Sequence, residues 1–118
     1  MARFYDVAIA IKFEQWDELI KRSKQIADEK IKELVNGLLD RAEIQDFKPH
    51  IDGYEFVTWS DEDWQDDFEQ IKFVMEFIKE HNDYSFIKIA TDDDDEQPVV
   101  INKKHYLLGV ERNIYYGT

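Results

Sequence analysis

Between Phe4 and Phe13, large apolar side chains fall at every second position. Tyr5, Val7, Ile9, Ile11 and Phe13 alternate with Phe4, Asp6, Ala8, Ala10 and Lys12. Such alternation puts the bulky set on one face of a strand and a mostly small or polar set on the other. The period then lengthens. Trp16, Leu19, Ile20, Ser23, Ala27, Ile31, Leu34, Val35 and Leu38 hold a phase of about 3.6 residues, which predicts one amphipathic helix from about Gln15 to about Arg41. A pause at Ala27-Asp28, with Asp28 capping a second helix, is the competing reading.

Pro49 and the Asp52-Gly53 pair mark a turn. Glu43 to Phe47 and Tyr54 to Trp59 flank it as arms of a hairpin, the second arm being the better strand. Ser60-Asp61-Glu62-Asp63 resembles a capping box with Asp in place of Glu. The helix it would open carries Trp64, Phe68, Ile71, Val74, Met75 and Ile78 on its buried face, widened by Phe73 and Phe77, and ends near Glu80 to Asn82. Tyr84 to Ala90 reads as a strand. An acidic loop closed by Pro98 follows, then a short strand at Val99 to Ile101 and a longer one at Leu107 to Tyr116. The elements predict an α+β fold: a mostly antiparallel sheet with two helices on one face, residues 1–118 forming one domain. With a strand before Gly53, the first 90 residues match the ferredoxin-like split βαβ order, extended by a C-terminal strand.

Charge changes this picture. Residues 1–52 hold 9 Lys/Arg against 11 Asp/Glu, whereas residues 53–118 hold 6 against 16, so most of the net charge of −12 sits in the second half. An excess of this size opposes compaction through self-repulsion and invites a basic partner. Hydrophobic residues make up 43% and aromatics 14%, which separates the chain from disordered acidic tails. The absence of Cys excludes disulfides, thiolate metal sites and a thiol nucleophile. No signal-peptide pattern and no apolar run of membrane-spanning length is present, so a cytoplasmic protein is expected. The acidity disfavours nucleic acid and anionic membranes as direct partners.

Two runs concentrate the charge. In the first, Asp61, Glu62 and Asp63 suit the first turn of a helix, where carboxylates meet the positive end of the dipole. Asp66, Asp67 and Glu69 fall beyond it on a solvated face. Capping with solvation and an interaction surface are both open readings. The second run, Asp92, Asp93, Asp94, Asp95 and Glu96, exceeds what turn chemistry needs. Counted as a calcium loop from Asp92, it has Gln97 where an EF-hand needs Gly and Lys103 where it needs Glu, which excludes that motif and leaves an irregular cation site as the metal reading. No metal or cofactor is assigned. No nucleophile elbow or phosphate-binding glycine loop is present, and His50, His81 and His105 form no ligand pair at helical spacing, so an enzyme is not expected. Trp59, beside the first run, is a candidate contact residue for a protein partner, with core burial as the competing reading.

Trp59-Ser60-Asp61, Phe73-Val74-Met75, the Tyr84 to Ile89 strand, the acidic loop and Val110-Glu111-Arg112 together resemble small acidic proteins encoded by phages and mobile elements. The resemblance spans roughly residues 54 to 114. Proteins of that kind often inhibit host defence nucleases, some by imitating the phosphate charge of DNA. It implies a non-enzymatic inhibitor of an anti-CRISPR or anti-restriction type, whose partner is a basic, nucleic-acid-binding effector. An immunity protein that neutralises a basic toxin, and a small domain whose acidity serves solubility, are the alternatives. The residues that would meet the partner are Trp59 and the two acidic runs.

Overall fold

The computed structural model describes residues 4–45, 53–91 and 96–103 with their side chains, and 108–110 and 114–116 by their backbone. The alternating segment is strand β1 (Tyr5–Lys12) and lies at the centre of the molecule. Val7, Ile9 and Ile11 are at most 1% exposed. Ala8 and Ala10, on the face expected to be small or polar, are equally buried. The chain continues through α1 (Phe13–Lys24), α2 (Glu29–Asp40), β2 (Glu43–Ile44), β3 (Tyr54–Glu62), α3 (Glu69–Lys79), β4 (Ser85–Ala90) and β5 (Val99–Asn102). These five strands form one sheet in the order β2-β3-β1-β4-β5, every neighbouring pair antiparallel. The segment expected as one long final strand holds two short ones, β6 (Leu108–Val110) and β7 (Ile114–Tyr116), paired with each other. β6 lies near β4 and β5.

The fold is α+β, with three helices where two were expected. All three serve the face that carries Val7, Ile9 and Ile11. Trp16 and Leu19 of α1, Leu38 of α2, and Ile71, Val74, Phe77 and Ile78 of α3 join Val57, Trp59 and Phe86 in one core. Ala8, Ala10, Tyr54, Phe56 and Ile87 form a second cluster on the other face. Burial of this kind is the main favourable term in folding, at about 25 cal/mol per Å² of apolar surface.

Two local expectations are corrected. The long helix is two helices, because Asp28 caps α2 with its carboxylate, accepting from the Ile31 amide at 3.0 Å. Buried Ser23 and half-buried Asn36 then tie the helices together: the Asn36 amide donates across the junction to the Ser23 carbonyl at 3.0 Å and, within α2, to the Lys32 carbonyl at 2.8 Å. Ser23 therefore belongs to a polar joint, and Ala27 is exposed. The second correction concerns Ser60-Asp61-Glu62-Asp63, which opens no helix. β3 runs on to Glu62, and α3 starts at Glu69, with Phe68 as its N-cap residue. Tyr5 to Val7 of β1 faces Glu62 to Trp59 of β3, one residue more on β3. Asp61 takes up the difference at φ 52°, a left-handed conformation that Asp tolerates better than most residues. Trp64 thus sits in the connection, where it is 1% exposed and packs 5.1 Å from the Trp59 ring.

Candidate functional site

β3 and β4 both flank β1 and both run antiparallel to it. They therefore end side by side at the start of β1, where Tyr5 pairs with Glu62 on one side and Ala90 on the other. Asp61 of the first acidic run lies near the end of β3, and Thr91, the residue before the second run in the sequence, follows the end of β4, so the topology delivers Asp61 and Thr91 to the same end of the sheet. Hydrogen bonds fix the arrangement. The Asp61 amide donates to Asp6 Oδ1 at 3.0 Å, and the Thr91 amide donates to the Phe4 carbonyl at 3.0 Å. Thr91 Oγ1 lies 2.9 Å from Asp61 Oδ1 and 3.1 Å from the Phe4 carbonyl, and its single proton serves one of them at a time. Glu96 returns to the cluster, accepting from the Tyr5 hydroxyl at 3.3 Å.

The acidic positions divide by role. Asp61 is exposed and Asp63 half-buried, the latter accepting from the Gln65 side chain at 2.9 Å. Glu62 is held by Arg41 in a two-pronged ion pair, Nε to Oε1 at 2.8 Å and Nη2 to Oε2 at 3.1 Å. Its side chain is 14% exposed, so it serves to join α2 to β3. Asp66 and Asp67 are exposed but leave the cluster. Asp66 lines a groove beside α3, and Asp67 a shallow depression with Lys30, Leu34 and Phe68. Asp92, Asp93, Asp94 and Asp95 lie outside the described residues, as does the cation reading that rests on them. Trp59 is 1% exposed and its indole N–H donates to the Leu38 carbonyl at 2.8 Å, which places it in the core and presents no indole surface to a partner.

The opposite end of the sheet differs in kind. There Asp83 accepts from the Tyr54 hydroxyl and pairs with Lys12 at 3.5 Å. Burial first, and the bond to Asp83 second, push the Tyr54 phenol well above its ordinary range. Among the described residues no three His, Asp or Glu side chains converge as a metal set. No helix among them is long and apolar enough to cross a membrane.

Compared with known proteins, the chain matches no family model, no curated protein and no solved structure. A functional reading therefore rests on the geometry. Sequence reasoning missed two members of the acidic end. Asp6 is the polar residue near the start of β1, and its signal was its place opposite the end of β3, a register visible once the strands are paired. Arg41, the countercharge to Glu62, gave no signal beyond lying at the end of the apolar stripe of α2.

Proposed function

We propose that this chain is a non-enzymatic binding protein that occupies the basic, nucleic-acid-binding surface of a defence nuclease, a CRISPR effector or a restriction enzyme, by presenting carboxylates in place of phosphates. One observation carries the reading: the carboxylates of Asp6, Asp61 and Glu96 are gathered at one end of the sheet by hydrogen bonds through the Asp61 amide, Thr91 and the Tyr5 hydroxyl. Duplex DNA shows one negative charge per roughly 1.7 Å of its axis, and proteins meet it with Lys and Arg. A carboxylate cluster fixed on a folded scaffold offers such a surface a comparable partner, with less ordering cost than a disordered acidic tail.

The test is competition. A labelled DNA duplex bound to a panel of CRISPR effectors and restriction enzymes is titrated with this chain at low and at physiological salt. Displacement from at least one panel member is expected, and it should weaken as salt rises. A variant carrying Asp61→Asn, Asp63→Asn and Glu96→Gln together with Asn at 92–95 should displace about tenfold less well, mainly through slower association, because such charges act on the encounter step. A panel whose DNA binding is untouched at every salt concentration, or a neutralised variant as active as the parent, would reject the charge-imitation reading.

A further inference from the structure

Away from the acidic end, we propose that the groove between α3 and the β4–β5 edge binds a free anionic amphiphile, an alkyl or aryl chain ending in a carboxylate. β5 is the outermost strand of the sheet. In the register of the sheet, Phe86 pairs with Ile101 and Lys88 with Val99, which sets these four side chains on the face toward α3. Met75 of α3 completes an apolar trough of about 380 Å³, within the range of small-ligand sites. Val99 is 39% exposed, so the trough is open to solvent along β5.

Its charge runs against the rest of the molecule. Residues 53–118 hold six Lys/Arg among 16 acids, and three of the six, Lys72, Lys79 and Lys88, line this groove. Asp66 and Glu76 also line it, leaving a local excess of one positive charge where the chain is otherwise strongly negative. The lysines are weakly engaged. Lys79 makes no ion pair among the described residues, Lys72 reaches Glu69 only at 3.8 Å, and the Lys88 ammonium rests over the Tyr5 ring at 4.7 Å. Behind the floor, the Trp64 ring packs 6.3 Å from Phe86, and its buried indole N–H has no acceptor among the described residues. Apolar walls with cationic groups at the rim match a hydrophobic tail and an anionic head. The net charge of −12 opposes approach to an anionic bilayer, which selects a free amphiphile over a membrane lipid.

Decanoate below its micelle-forming concentration, titrated into the full chain and followed by tryptophan fluorescence and calorimetry, should saturate a single site. The double variant Lys79→Gln/Lys88→Gln should keep its thermal midpoint and bind about tenfold more weakly or worse, as expected for loss of charge-assisted bonds. Val99→Glu should give a similar loss by placing a like charge in the apolar wall. Decanol and decyltrimethylammonium should each bind about tenfold more weakly than decanoate, which separates head-group recognition from apolar adsorption. Absence of saturation, equal binding of the three amphiphiles, or parental affinity in both variants would overturn the proposal. None of these outcomes bears on the acidic end, so the two readings fail separately.

Discussion

At the scale of single residues, burial decides roles that composition leaves open. Trp59 stands beside an acidic run, yet its indole N–H satisfies the Leu38 carbonyl in the last turn of α2. That carbonyl also accepts from the Arg41 amide at 3.2 Å, so loss of the indole donor would remove one of its two bonds. Trp59→Phe, which keeps an aromatic ring but removes the donor, should lower stability by about 0.5–1.5 kcal/mol in urea unfolding, the net worth of one hydrogen bond. Glu55 is the converse case, a carboxyl on the helix side of β3. Burial first, and the nearby Asp17 second, raise its pKa. The folded state then holds its proton to higher pH than the unfolded chain, so stability falls as pH rises through the interval between the two values. Glu55→Gln should raise the thermal midpoint at neutral pH, and the gain should vanish on the acid side of the carboxylate range. A gain that persisted in acid would mean that packing, not titration, is its source.

At the scale of elements, the sequence was most legible where one period ran without competition. β1 and β4 stand within one residue of their expected bounds at either end, with Phe13 opening α1 instead of closing β1. Ile71, Val74 and Ile78 lie buried on α3 as their spacing required. The failures share a cause. Ser23 and Ala27 are small enough to fit any face, so the apolar phase ran through the break between α1 and α2 without registering it. The decisive signal was the cap at Asp28. Likewise Ser60-Asp61-Glu62-Asp63 carries the residues of a helix start, but pairing with β1 outweighs that local preference, because Asp61 N–H finds its acceptor on Asp6. Tertiary pairing of this kind is invisible to a local pattern. Since Asp28 both ends the turn and starts α2, Asp28→Ala should cost about 1 kcal/mol, in the range of about 0.5–2 kcal/mol known for such caps. Denaturant unfolding measures it, and Asp28→Asn, which can still accept from the Ile31 amide, should recover most of the loss.

At the scale of the whole molecule, strand order brings Asp6, Asp61 and Glu96, far apart in the sequence, to one end of the sheet. The acidic runs themselves were plain in the sequence. The meeting of Asp61 and Glu96 near Asp6 was not, because it depends on β3 and β4 both flanking β1, and neither is close to β1 along the chain. The same topology sends Asp66 and Asp67 elsewhere, so adjacency in sequence overstated the size of the cluster. This distribution gives salt two opposite effects. Attraction to a basic partner should weaken as ions screen it, whereas repulsion among carboxylates within the fold should be relieved by the same screening, which acts over about 10 Å at 0.1 M. The thermal midpoint of the isolated chain should therefore rise as sodium chloride is added from low concentration. If the repulsion is concentrated where β3 and β4 end, Asp61→Asn with Glu96→Gln should raise the low-salt midpoint and flatten the salt response. The side-chain carbonyl that Asp61→Asn leaves in place can still accept from Thr91, so the hydrogen bond at that position is retained. Removing two exposed charges outside the cluster, by Glu33→Gln with Asp67→Asn, should do less of both. Equal responses from the two pairs would show that the charge acts as a diffuse field over the whole surface, and that the acidic end has no electrostatic character of its own.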